Sequence, residues 1–176
     1  MPYNENALGA WKFIMQIFIR TFIYFFILTA SINVYGKAQY PAFKLPELHS
    51  DNIIELNKLR GKVVYVDFWA SWCGPCRQSM PKFNALYKQL SSKGFDIVAI
   101  NLDESKADAQ RFLQDYPVNY TVLYDATGQS PKQFGVSVMP TGYLLDRFGM
   151  VRYTHQGFRD GDEAKLMQEV NKLLAE

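Results

Sequence analysis

Apolar residues run almost without a break from Val63 to Trp69, interrupted once by Asp67. A short, nearly continuous run rich in β-branched and aromatic residues predicts a strand buried on both faces of a sheet. Past Ala70 the period changes. Phe83, Leu86, Tyr87 and Leu90 fall at helical spacing and predict one apolar helix face. Pro81 lies inside that pattern and predicts a kink, and Ser91-Ser92-Lys93-Gly94 ends the helix. Phe95 to Asn101 repeats the buried-strand pattern, so the three segments predict a βαβ unit with parallel strands and a right-handed crossover.

The remaining pattern is shorter in period and more punctuated. Ala109, Phe112, Leu113 and Tyr116 mark one face of a helix predicted from Asp103 to Tyr116. A strand follows at Tyr120 to Tyr124, then a short helix at Gln129 to Gly135. Tyr143-Leu144-Leu145 and Val151-Arg152-Tyr153 flank Asp146-Arg147-Phe148-Gly149, which predicts a hairpin. Leu166, Val170, Leu173 and Leu174 predict a closing amphipathic helix over the sheet. Upstream, Phe43-Lys44-Leu45 and Ile53-Ile54-Glu55-Leu56 predict two short strands around a turn at His49 to Asn52, with His49 solvated.

Residues 1–38 read as a targeting segment rather than part of the fold. Lys12 and Arg20 precede an uncharged run from Thr21 to Gly36, shorter than the ~20 residues of a membrane span. Gly36-Lys37-Ala38 then places small residues where a signal peptidase reads, and the absence of cysteine there excludes a lipoprotein anchor. The expected organisation is a signal peptide over 1–38 and one domain over 39–176. The rival is an uncleaved anchor through residues 13–34; either arrangement places the domain outside the cytoplasm, in a periplasmic or equivalent space. At 176 residues and 48% hydrophobic content the chain has ample material for one core. The net charge is +2, and removal of residues 1–38 leaves 16 basic and 16 acidic residues. Nothing here resembles a nucleic-acid footprint.

The candidate chemistry lies where the first strand hands over to the first helix. Cys73-Gly74-Pro75-Cys76 holds both of the 2 cysteines of the chain. The thiolate is the nucleophile in disulfide exchange, and a helix N-terminus offers free N–H groups and partial positive charge. Cys73 is therefore expected to ionise more readily than a free cysteine, and Cys76, one turn on and better shielded, to resolve a mixed disulfide. Pro75 stiffens the turn where its missing N–H costs little. A zinc site would want four ligands, and the only histidines, His49 and His155, lie far from the pair in sequence. His155 reads as a strand-face or hydrogen-bonded residue. A purely structural bridge three residues apart would remove little chain entropy. Asp67 is the anomaly, because a carboxylate in a buried strand is costly unless it is neutral or paired.

The string Val66-Asp67-Phe68-Trp69-Ala70 followed by Trp72-Cys73-Gly74-Pro75-Cys76 resembles the active-site segment of the thioredoxin superfamily. Its fuller context, Gly61 to Pro81, is similar to the exported TlpA/ResA-like thiol-disulfide oxidoreductases. The resemblance runs from about Phe43 to the C-terminus. It implies an α/β thioredoxin-like fold, with a central mixed sheet flanked by helices, an N-terminal hairpin and a central helix–strand insertion. It implies a redox disulfide Cys73–Cys76, and a cis Pro140 against the cysteines with Met139 offering backbone to an extended substrate. It also implies a proton-accepting role for Asp67 towards Cys76. Cytoplasmic thioredoxins pair that acid with a lysine, and the matching position here is Ala99. Trp72 is expected at the rim as a docking surface, and Trp69 inside.

The implied activity is reduction of disulfides in exported proteins, cytochrome c maturation included, with a membrane thiol-electron carrier as reductant and no cofactor or metal. A disulfide oxidase or isomerase is the alternative within the same chemistry. A thiol peroxidase would want threonine where Ala70 stands, and a binding or chaperone module would not need the dithiol.

Overall fold

The computed structural model describes residues 15–16, 42–50 and 52–176. The targeting-segment reading of residues 1–38 falls almost wholly outside the described residues, and no helix among them is long and apolar enough to cross a membrane. Residues Lys37–Glu176 form one compact unit, to which the following description applies.

The buried run becomes β3 (Val63–Trp69), every residue of which is buried. It occupies the centre of a five-stranded sheet with β4 (Phe95–Asn101), β5 (Thr121–Tyr124), β6 (Thr141–Leu145) and β7 (Val151–Gln156), in the order β5-β4-β3-β6-β7. Strands β3, β4 and β5 run parallel, whereas β6 pairs antiparallel with β3 and β7 antiparallel with β6, so the sheet is mixed. Four helices cover it: α1 (Gly74–Leu90), α2 (Lys106–Asp115), α3 (Gln129–Phe134) and α4 (Asp162–Leu174). This is the thioredoxin-like fold, with α2 and β5 as the central helix–strand unit. The N-terminal hairpin, β1 (Lys44–Pro46) with β2 (Ile53–Glu55), is a separate two-stranded sheet. It meets the rest through a Leu48 N–H donated to the Val122 carbonyl at 2.8 Å and a bridge between Glu47 and Leu123. Leu48, fully buried, thereby caps the open edge of β5, which would otherwise offer unpaired backbone to other chains.

Because side chains alternate along a strand, β3 feeds two cores. Tyr65 and Trp69 join Met80, Phe83 and Leu86 of α1 and Leu166, Val170 and Leu173 of α4 on one face. Val64, Val66 and Phe68 meet Phe43, Phe134 and Tyr143 on the other. Pro81 lies within α1, and a 3₁₀ turn over Ser91–Lys93 and left-handed Gly94 end that helix.

Helix α2 starts later than its apolar pattern predicts, at Lys106 rather than Asp103. The reason is local: Asp103 spends its carboxylate on other partners, described below, so its backbone is held out of the helix.

One close approach is forced by the packing. A Cβ built on Gly142 would overlap the hydroxyl of Tyr65, which is itself fully buried. Gly142→Ala is therefore expected to destabilise the fold by about 1–3 kcal/mol through overpacking. Urea denaturation at neutral pH measures this, and a loss below about 0.5 kcal/mol would mean that Tyr65 can swing aside.

Candidate active site

Strand β3 ends at Trp69, and the next residues make a single turn into α1. Within that turn Cys73 N–H donates to the Ala70 carbonyl at 3.1 Å. Cys73 is the N-cap of α1, with extended backbone, and Gly74 and Pro75 occupy the first helical positions. Its Sγ accepts the Cys76 backbone N–H at 3.2 Å, the contact that would hold a thiolate in place once the bridge opens. Cys73 and Cys76 form a disulfide. Cys73 is buried to 4% exposure and Cys76 completely, so the outer sulfur is the one that a partner can approach.

Two features anchor the turn. Leu102 N–H donates to the Trp69 carbonyl at 2.9 Å, extending the β3–β4 ladder past the last strand residues. Asp103, itself buried, accepts Ser71 N–H at 3.0 Å, Ser71 Oγ–H at 2.9 Å and Asn101 Nδ2–H at 2.8 Å, and its own N–H donates to Asn101 Oδ1 at 3.1 Å. The Asp103–Ser71 contact at the redox turn is one that pattern reading missed. The only signal available was a pair of polar residues, Asn101 and Asp103, at the end of an apolar strand.

Asp67 stands in the middle of β3, opposite Ala99 on one side and Gly142 on the other. It is fully buried, and neither carboxylate oxygen has a hydrogen-bond partner among the described residues. Burial without a compensating cation pushes its pKa well above the usual carboxylate range. Alanine at 99 leaves no lysine there to oppose the shift.

On the solvent side the disulfide opens onto a groove of about 530 Å³, lined by Trp72, Cys73 and Pro75 from the turn and by Val136, Val138 and Met139 opposite. Trp72 is 69% exposed and Val138 46%, whereas Trp69 is fully buried. The Met139–Pro140 peptide bond is cis. The structure thus brings together Trp72, Cys73, Gly74, Pro75 and Met139 around one groove, with Cys76 beneath. No cluster of metal-binding side chains occurs among the described residues. His49 is exposed on the hairpin side, and His155 is buried in β7.

A bridged dithiol at a helix N-terminus, set at the end of a buried central strand in this fold, defines a thiol-disulfide oxidoreductase. The chain belongs to the Redoxin family, whose model matches residues 36–170. Thiol-disulfide oxidoreductase ResA of Bacillus subtilis (strain 168) is 34% identical over 129 residues, spanning 73% of this chain and 72% of the relative. Its namesake from Bacillus thuringiensis subsp. konkukian (strain 97-27) is 36% identical over 116 residues, and the match spans 66% of each protein. A crystal structure from Chlorobium tepidum, of a candidate thiol:disulfide interchange protein DsbE, is 44% identical with a TM-score of 0.75, covering 78% of this chain and 96% of that one.

Two outcomes follow from the buried acid and from the anchor. The folded pKa of Asp67 is raised, so the unfolded chain binds fewer protons above the ordinary value of 3.8. The stability that Asp67 contributes is full below that value and is lost as pH rises towards the folded pKa. Asp67→Asn is expected to raise stability at neutral pH and to flatten the decline above pH 3.8; equal slopes for variant and parent in urea titrations would reject this. Asp103→Ala strands the Ser71 donors and is expected to cost about 1–3 kcal/mol while slowing disulfide exchange. Measured together, a stability loss with unchanged exchange rate would show that the anchor does not position Cys73.

Proposed function

We propose that this protein is an exported reductase of protein disulfides. The observation that carries the reading is the Cys73–Cys76 bridge at the N-cap of α1, opening onto an apolar groove. In the reduced protein the Cys73 thiolate attacks a substrate disulfide, forming a mixed disulfide and expelling one substrate thiolate. Cys76 then gives up its proton and attacks the Cys73 sulfur, which restores the Cys73–Cys76 bridge and releases the second substrate thiolate. Asp67, buried and biased towards its neutral form, is the acceptor of the Cys76 proton.

Trp72, Val138 and Met139 supply the surface for an unfolded or extended substrate segment, with Pro140 fixing the adjoining backbone. Proteins exported with disulfides, apocytochrome c among them, are the substrate class, and a membrane thiol-electron carrier is the reductant. The leader over residues 1–38, as a signal peptide or an anchor through 13–34, places this chemistry outside the cytoplasm. A Streptococcus pneumoniae relative, 26% identical with a TM-score of 0.64, is described as an exposed lipoprotein thioredoxin, which supports that placement. The Gly-Pro spacer between the cysteines, shared with reducing thioredoxins, favours the reducing direction.

The Cys76→Ser variant is expected to accumulate mixed disulfides that dithiothreitol releases, and Cys73→Ser to accumulate none. The bridge is expected to equilibrate near roughly −270 mV, as thioredoxin does. A potential near roughly −120 mV would instead make the protein a disulfide donor.

A further inference from the structure

The redox turn occupies one end of the sheet. Strand β3 runs from Val63 to Trp69, about 20 Å, and Cys73 lies past its last residue. At the other end the β6–β7 turn, residues 146–150, meets the approach to β3. Gly61 N–H donates to the Arg147 carbonyl at 2.8 Å, and Arg147 Nη1 donates to the Gly61 carbonyl at 3.0 Å. The turn is stiff: Asp146 Oδ1 accepts the N–H groups of Phe148 and Met150, each at 3.0 Å, and Gly149 supplies a φ of 79°. At its tip Phe148 is 78% exposed, more than any other large apolar side chain among the described residues, Trp72 at 69% included.

A single exposed phenylalanine is ordinary on a protein surface. The charge around this one is not. A Cβ at Gly149 would meet Arg60 Nε at 3.9 Å, and one at Gly94 would meet Arg147 Nη1 at 3.3 Å. Lys93 stands next to Gly94, and both Lys93 and Arg60 are exposed. Among the described residues, none of these three cations has a carboxylate within ion-pair distance; Arg147 donates to backbone, at the Gly61 and Leu174 carbonyls. The carboxylates that share this end are met by other cations: Asp96 by Lys62 at 2.8 Å, and Asp146 and Glu176 by Arg152 at 3.2 and 2.6 Å. The turn therefore presents an apolar ring within an uncompensated positive field.

We propose that this end of the domain, with Phe148, Arg60, Lys93 and Arg147 as its contacts, is a docking surface for an anionic lipid bilayer. Phe148 enters the boundary between headgroups and acyl chains, where its ring leaves water. The three cations stay at the headgroup level and face lipid phosphates, whose surface potential draws basic groups in at short range. Docked in this way, the domain keeps the Cys73 groove about one strand length from the bilayer and turned away from it. The inference goes beyond the redox reading and does not depend on it.

Two observations favour lipid over a protein partner. Ala42 lies at this same end, lining a small pocket with Arg60, Leu145 and Gly149. The sequence reaches Ala42 from the uncharged run Thr21 to Gly36 through residues 37–41, whose one charge is Lys37. Five residues span at most about 18 Å, so a bilayer that takes up that run has this end of the domain within reach. This first argument rests on the leader reading, whereas the docking chemistry does not. The second observation is the shape of the surface. One ring among separated cations offers little continuous apolar area of the kind that protein interfaces bury, while a loop tip entering lipid needs no matching surface.

The test mixes the full chain with vesicles of phosphatidylcholine, alone or with phosphatidylglycerol, and follows flotation and amide hydrogen exchange by mass spectrometry. Phosphatidylglycerol is expected to slow exchange over residues 58–62 and 146–150 on the order of tenfold, with residues 71–76 unchanged. Phe148→Ser and the Arg60→Gln/Lys93→Gln pair are each expected to remove most of that slowing, about fivefold per cation, and added salt to weaken it. Both variants alter exposed side chains, and a parent-like rate of disulfide exchange with glutathione checks that each is folded. Parent-like slowing in both variants overturns the proposal. Flotation on both vesicles without phosphatidylglycerol-dependent slowing at this end also overturns it, and leaves the leader reading standing. Flotation that needs phosphatidylglycerol and is lost in Phe148→Ser supports the docking surface and removes the leader as an anchor. Slowing that is equal on the two vesicles, or confined to the Trp72 groove, overturns the proposal. Slowing on native membranes but not on protein-free phosphatidylglycerol vesicles assigns this end to a membrane protein and overturns it as well.

Discussion

Burial of the central strand on both faces is the constraint from which the rest follows. A strand with no solvent side cannot hydrate a charge, yet β3 carries Asp67 at its middle. The neighbouring strands answer with two of the smallest side chains, Ala99 and Gly142, directly across from the carboxylate. Neither neutralises the acid, so its neutral form is favoured and its proton affinity is raised. The same strand must stop where its apolar pattern stops, and there the chain turns into a helix whose N-cap is Cys73. Acid and nucleophile are thus two consequences of one buried segment, six residues apart along it.

What the central strand does not supply is the position of the turn itself. Ser71 and Asp103 lie 32 residues apart in the chain and meet because β3 and β4 run parallel and end together. A carboxylate that accepts three donors, two from the turn at Ser71 and one from the end of β4, leaves the redox turn little freedom. The groove then needs only exposed apolar groups on either side, and Trp72 and Val138 provide them.

Most of the fold was legible in the sequence because its elements are strongly periodic and its central strands are continuous apolar runs. The redox pair was legible because a strand-to-helix change of period falls on the cysteines. The start of α2 was not, since the pattern of Ala109, Phe112 and Leu113 says nothing of Asp103 turning back to Ser71. Nor could the approach of Tyr65 to His155 be read. Tyr65 and His155 are separated by 90 residues, and only the register of three strands brings them to 3.5 Å. Local periodicity reports which face a residue occupies, not which residue faces it across the sheet.

The absent lysine gives the chemistry its direction. A cation beside Asp67 would hold it ionised and ready to accept a proton, and would make the proton easy to lose again. With Ala99 in that place, uptake of a proton carries Asp67 towards the state that its surroundings prefer. Recovery of the carboxylate is then the demanding direction. A buried acid with no cation therefore gives up its proton less readily than it takes one. The neighbour on the other side opposes the charge no better, since Gly142 leaves a void there that the neutral Tyr65 hydroxyl fills.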